Sequence, residues 1–316
     1  MTTVTKFKFD VSNPYLPFLR DDGSIVSFYL GNYTTKLADL GYTLPEAKEE
    51  IIDAFINKGI EKGWIAYLYY FLPIVGTSSA LKTGAVPLID TVGNYAMAEY
   101  SNDYDFSNYF ALDTNNNIVG FLINDNNRLR TPVKWEDMDE SLSVLTHYKW
   151  VEGDDIYRSP ANIYDAEGTY AKVRLRFGTS VTLMTREHSE ADPSYTTTRP
   201  NTGMVADSIE NNYGFVMYHS LFVDKADEDR MKLSRMYLQD NDGTLSNKTK
   251  SYYESITVNS GSFGDNAGKV ICGHSSASAD TTSYLKCFGL MNPSIPEMLL
   301  GELLKDVNEL DIALGK

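Results

Sequence analysis

At 316 residues, with 42% hydrophobic and 22% charged side chains, the chain has the composition of a folded protein with a sizeable core, which excludes the disordered class. The 43 acidic residues outnumber the 28 basic ones, and the net charge of -15 opposes binding to phosphate backbones or anionic lipid, so nucleic acid is not an expected partner. With Cys272 and Cys287 as the only cysteines, a disulfide framework and a four-cysteine zinc site are both excluded.

Residues 1–10 (MTTVTKFKFD) alternate charged and aromatic side chains like a short strand and lack the apolar stretch of a signal peptide. Residues 25–30 follow the turn signal Asp21-Asp22-Gly23 and read as another strand, so residues 1–43 are expected to form a small β arm. Thr43-Leu44-Pro45-Glu46 has the form of a capping box, and Ala47, Ile51, Phe55 and Gly59 follow at helical spacing, predicting a helix over 44–58. The most apolar run, 64–75 (WIAYLYYFLPIV), contains Pro73 and is shorter than the ~20 residues of a membrane span. It predicts a buried strand, and no membrane insertion is expected.

From residue 64 to residue 290, helical periodicity gives way to short runs rich in Tyr, Val, Ile, Phe and Thr, bounded by Asn, Asp, Gly and Pro. Strands are predicted over 65–72, 95–100, 117–123, 143–151, 171–177, 181–185, 213–223, 235–239, 252–258, 269–273 and 284–290. Strands at this spacing imply a sandwich or jelly roll. Residues 294–297 (SIPE) repeat the capping-box form, and Leu300, Leu303, Leu304, Val307, Leu310 and Leu314 share one face, predicting a helix over 294–314 that Gly315 stops.

Several motifs in this β region hold residue types that could carry chemistry. Asp113, Asn115 and Asn117 place oxygens at every second position like the start of a calcium loop, but Ile118 stands where that loop needs glycine and Asn124 where it needs a bidentate glutamate. A polar hairpin turn accounts for the same residues, with a calcium ion at a sandwich rim as the alternative. Gly264 to Lys269 (GDNAGK) fails as a phosphate loop, because three residues separate its glycines and Val270 follows the lysine. His147, His188, His219 and His274 are isolated in sequence from any recognisable catalytic motif.

The acidic cluster 135–140 (WEDMDE) offers carboxylates beside a ring, but on a strand Glu136 and Glu140 share a face with Met138 while Asp137 and Asp139 point opposite, unlike the Glu-x-Asp-x-x-Glu of sandwich glucanases. The 22 tyrosines are the stronger signal, since their hydroxyls favour wet edges and their rings can stack on sugar faces. Trp135, Tyr148, Trp150, Tyr157 and Asp154 are the candidate glycan-binding residues, with sandwich core and strand surface as the plain alternative for the same rings. No catalytic residue and no metal ligand is singled out, so no cofactor is expected beyond the calcium alternative.

Residues 213–222 (YGFVMYHSLF), 252–258 (YYESITV), 269–274 (KVICGH) and 284–290 (YLKCFGL), followed by 293–314, resemble the closing strands of concanavalin A-like, laminin-G-like jelly rolls. Residues 64–76 and the closing 304–315 (LKDVNELDIALG) are similar to the entry and terminal helix of such domains in virion proteins of gut bacteriophages. The resemblance covers about residues 45–316 and implies a mainly β fold: a concanavalin A-like jelly-roll sandwich over 44–316 with one N-terminal and one C-terminal helix. It further implies a tail or head fibre or receptor-binding component of a tailed phage virion, assembled in the bacterial cytoplasm. The arm 1–43 would attach to other virion proteins, a homotrimer would form, and a lectin-like surface would bind host glycan by avidity. A glycan hydrolase of the same fold and a decoration protein without ligand are the alternatives. The family's own ligand residues have no match here. Residues 269–273 and 284–290 are expected to form the last hairpin, with Cys272 and Cys287 near its base as free, buried thiols kept reduced by cytoplasmic assembly.

Overall fold

The computed structural model describes residues 17–20, 23–77, 80–81, 84–90, 110–122, 284–292 and 294–316, together with the strands named below. For strands between residues 98 and 275 the path and pairing of the backbone are described, and side chains only within 110–122 and 145–147.

The first elements are a two-stranded antiparallel ribbon of β1 (Pro17–Leu19) and β2 (Ile25–Ser27). The strand predicted over 25–30 stops at Ser27, because that residue caps a helix: its hydroxyl accepts from Leu30 N at 3.2 Å and opens α1 (Phe28–Asp39). Leu30, Tyr33 and Leu37 recur at helical spacing and are buried. The 1–43 segment is thus partly helical rather than a β arm alone, and two helices, not one, precede the main sheets. Thr34 and Thr35, which donate back to the carbonyls of Gly31 and, for Thr34, of Leu30, disguise this helix as a strand in sequence. The buried Tyr33 hydroxyl has no hydrogen-bond partner among the described residues. Tyr33→Phe is therefore expected to leave stability unchanged or raise it by up to ~1 kcal/mol in urea unfolding, and a loss of that size would contradict this environment.

α2 (Glu46–Lys62) is capped by Pro45 without any side-chain bond, so the capping box does not form; Glu46 and Glu49 in the first turn serve the helix dipole instead. The helix passes through Gly59, where its predicted end lay, and stops at Gly63 in the left-handed conformation. Gly59 is a recess rather than a terminator: a Cβ there would sit 2.6 Å from the Trp64 ring, which packs across it from a 3-10 turn at Trp64–Tyr67.

The strands follow: β3 (Leu68–Pro73), β4 (Gly84–Ala85), β5 (Ile89–Asp90), β6 (Ala98–Glu99), β7 (Phe110–Leu112), β8 (Ile118–Leu122), β9 (Leu129–Lys134) and β10 (Leu142–Lys149). β11 (Arg158–Tyr164), β12 (Ala171–Phe177), β13 (Thr182–Ser189), β14 (Asp192–Thr198), β15 (Phe215–Phe222) and β16 (Arg230–Gln239) come next. β17 (Leu245–Ser246), β18 (Ile256–Thr257), β19 (Lys269–Ser275), β20 (Tyr284–Met291) and α3 (Glu297–Ala313) complete the order.

The fold is mainly β, with two large antiparallel sheets and a few helices. One, of ten strands, runs β17-β16-β15-β10-β20-β3-β5, with β18 beside β16, and β8 between β20 and β7. The other, of eight, runs β14-β13-β12-β11-β19-β9-β6-β4. The expected final hairpin is not formed. β19 pairs with β11 and β9, while β20 pairs with β10, β3 and β8, so the connection between them crosses from one sheet to the other. Cys272 and Cys287 therefore lie in different sheets; Cys287 is buried with a free thiol.

β3 and β20 are buried along nearly their whole length, as strands covered on both faces are. Against them pack Leu30 and Leu37 of α1, Ile52, Phe55 and Ile56 of α2, and Leu300, Leu303, Leu304 and Val307 of α3. Phe55 stacks on Phe71 of β3 with ring centres 5.3 Å apart and meets the Trp64 ring at 4.9 Å. α3 buries the face its leucine spacing predicts, though its cap is Pro296 and no side chain closes a capping box.

Candidate functional site

Among the described residues, the densest gathering of reactive side chains lies beneath the last turn of α3. β10 and β20 set His147 directly opposite Cys287. α3 brings Asp311 in on the stripe that otherwise carries Val307, Leu310 and Leu314, and Lys316 follows just past the helix. His147 Nδ1 lies 2.6 Å from Asp311 Oδ2, and Lys316 Nζ lies 3.1 Å from Asp311 Oδ1, with side-chain exposures of 3%, 0% and 1% for His147, Asp311 and Lys316. Lys316 Nζ also donates to the Lys286 carbonyl at 2.9 Å, and Lys286 Nζ donates in return to the Lys316 main-chain oxygen at 3.4 Å.

Burial pushes the Asp311 carboxyl up, but the Lys316 ammonium, and after it the bond to His147, outweigh that and hold it well below the usual carboxylate range. Burial also dominates at His147 and lowers it, against the pull of Asp311, so the imidazole is neutral. Because the ionised carboxylate can only accept, Nδ1 carries the imidazole proton and donates to Asp311. The Cys287 thiol is pushed well above its ordinary range, first by burial and then by the Asp311 charge.

Cysteine, histidine and acid are the ingredients of an activated thiol nucleophile, but that chemistry needs an accessible sulfur with a depressed pKa. Here the thiol is sealed and kept protonated. What the arrangement does is tie α3 to two neighbouring strands through one ionised carboxylate and one ammonium.

A second group of charges joins α3 to α2. Asp306 is buried and accepts from Trp64 Nε1 at 2.8 Å and from Lys62 Nζ at 2.9 Å. Lys62 also reaches Glu302 at 2.7 Å, and Lys58 reaches Glu309 at 2.6 Å. Burial acts to lower Lys62, but its bonds to Glu302 and Asp306 prevail and raise it. The hydrogen bonds from Lys62 and Lys58 lower Glu302 and Glu309 respectively.

The polar segment at Asp113 forms the β7–β8 turn. Asp113 Oδ1 accepts from the backbone N–H of Asn115 and Asn117, both at 2.8 Å, Oδ2 accepts from Asn117 Nδ2 at 2.9 Å, and Asn116 takes a positive φ of 62°. Among the described residues no group of three or more His, Cys, Asp or Glu is placed to hold a metal ion.

Trp135, Trp150, Asp154 and Tyr157 lie outside the described residues, as do the acids of 136–140. Tyr148 sits on β10 opposite Leu285, and only its backbone is described. His147, isolated in sequence, is the residue that spacing alone missed. The signal for it was indirect: an aspartate at position 311 inside an apolar helical stripe requires a buried partner.

No family model and no curated protein matches the chain. Among solved structures it is similar to the NanB sialidase of Streptococcus pneumoniae in complex with 2-[(3-chlorobenzyl)ammonio]ethanesulfonate, and to NanB with Optactamide. Each match has 10% identity and a TM-score of 0.31 and covers 58% of this chain but 27% of the sialidase chain. A likeness at that score carries no argument about fold detail or activity.

Proposed function

We propose that the chain is a jelly-roll sandwich that acts by binding: a fibre or receptor-binding component of a bacteriophage virion, with a lectin-like surface for host glycan. The observation that carries this reading is how successive strands are distributed. β3, β5, β7, β8, β10, β15 to β18 and β20 go to one sheet, and β4, β6, β9, β11 to β14 and β19 to the other, so the chain passes repeatedly between them. Repeated crossing between two antiparallel sheets is what a jelly roll needs, and it accords with the sequence resemblance. The sealed, protonated state of Cys287 leaves the Cys287–His147–Asp311 set without an accessible nucleophile.

In this reading Trp135, Tyr148, Trp150, Tyr157 and Asp154 supply sugar stacking and hydroxyl bonding, residues 1–43 attach to other virion proteins, and trimerisation multiplies weak glycan contacts. Incubating the protein with bacterial capsular polysaccharide tests it. Retention without shortening of the polysaccharide is the expected result. Shortened chains would replace the reading with a hydrolase, and no retention on polysaccharide or intact cells would replace it with a decoration protein.

A further inference from the structure

We infer that the final segment of the chain, β20 with α3, is an exchangeable keystone: it docks last into a slot between strands already paired, and the same segment of a second copy fills that slot to give a strand-exchanged dimer. The inference is independent of the glycan-binding reading.

The slot follows from the sheet topology. Among the described strands of the ten-stranded sheet, β10 with β15 to β18, β3 with β5, and β7 with β8 form three groups, and the three meet only on β20. One edge of β20 pairs with β10 along Ser143–Lys149, and the other with β3 along Leu68–Pro73 and with β8 at Phe121 and Leu122. β20 is also the last strand of the chain, so it follows in sequence every strand it joins. Until it docks, β10, β3 and β8 each present an open row of N–H and C=O groups, the kind of edge to which another strand adds. Pairings between segments so distant in sequence form late, since the loops they close must be ordered first.

The contacts around the slot select this sequence. Gly120 on β8 leaves the space that the Tyr284 ring occupies, for a Cβ there would stand 2.2 Å from Tyr284 Cδ2. Gly289 fits where a Cβ would meet Leu145 of β10 and Phe71 of β3, each at 3.4 Å. α3 then sets Asp306 on Trp64 Nε1 and Lys62, and Asp311 on His147. A segment without these residues would leave recesses unfilled and buried donors without their acceptors, so the occupant is this chain's own segment or that of a second copy. Cys287 is a free thiol, and the same contacts form whichever copy supplies the segment, so concentration during folding sets the choice. Withdrawing a docked segment breaks both edges of β20 and the α2–α3 seam together, so an exchange made during folding persists afterwards.

Lys58 on α2 and Glu309 on α3, paired at 2.6 Å and both partly exposed, report which copy supplies α3. Full-length Lys58→Cys and Glu309→Cys chains are refolded together from urea, a short bismaleimide is added, and intermolecular links between positions 58 and 309 are identified by peptide mass spectrometry. With an effective concentration in the millimolar range for the chain's own segment, refolding at about 100 µM is expected to link roughly a tenth of the chains, and refolding at about 1 µM roughly a hundredfold fewer. The concentrated product is expected to keep its link when it is diluted before the reagent is added, because separation requires unfolding. Absence of the 58–309 link, its loss on that dilution, or an equal yield from chains refolded apart and then mixed would each overturn the exchange. Should either variant fail to refold, isotopically heavy and light wild-type chains decide by native mass spectrometry. Mixed dimers formed by co-refolding alone and stable to dilution support the exchange, and any other outcome refutes it.

Discussion

Asp311→Ala is expected to lower stability by about 3–5 kcal/mol in urea unfolding at neutral pH, among the largest effects of any single substitution in the described residues. The substitution leaves the Lys316 ammonium, 1% exposed, without its counter-charge and the His147 Nδ1–H without its acceptor. Asp311→Asn, which keeps an acceptor for His147 but not the charge, is expected to recover only part of the loss. A loss below about 1 kcal/mol for the alanine variant would mean that the pair behaves like a solvated surface bridge.

The same groups set the acid response. Both Asp311 and His147 have depressed pKa values in the folded chain, so each contributes stability that is present above its ordinary pKa and lost as pH falls below it. Those ordinary values are 6.5 for His147 and 3.8 for Asp311, which places the histidine's loss first and the aspartate's in stronger acid. Unfolding free energy measured against pH is expected to show the upper step in the wild type and to lack it in His147→Gln.

Gly120→Ala is expected to cost about 1–3 kcal/mol or more, the usual range for overpacking a closed site. A Cβ at this position would lie 2.2 Å from Tyr284 Cδ2 and 2.8 Å from the Leu285 carbonyl oxygen. The ring can turn aside, but the carbonyl belongs to the strand that pairs with β8, where Leu285 stands opposite Phe121. Gly301 in α3 provides the control, since a Cβ there meets nothing within 4 Å. Gly301→Ala is expected to stabilise by up to ~1 kcal/mol through helix propensity alone. Urea unfolding of the two variants should therefore move in opposite directions, and a neutral Gly120→Ala would contradict the closeness of β8 to β20.

Much of the fold was legible because it depends on local pattern. The leucine stripe of α3 and the short runs at 171–177 (AKVRLRF) and 284–290 (YLKCFGL) became the helix and strands predicted for them. α1 was not legible, since Gly31, Thr34 and Thr35 weaken its helical signal and its cap, Ser27, sits within a run that alternates like a strand. Nor was the pairing of β19, because residues 269–290 read as a hairpin whenever neighbouring strands are assumed to be partners, and sheet membership is settled by contacts far away in sequence. The same limit hid the buried cluster. His147 and Asp311 are separated by 164 positions, and only the fold brings them together. Asp311 still left a trace, as an acid on a face that should be apolar.

The central claim is that these distant residues form one buried unit holding α3 to the sheet. A double-mutant cycle on His147→Ala and Asp311→Ala, measured by urea unfolding at neutral pH, tests it most directly. The account predicts that the double variant loses at least ~1 kcal/mol less than the sum of the two single losses, as residues in one hydrogen-bonded network do. Losses that add to within about 0.5 kcal/mol would show two independent sites and contradict it.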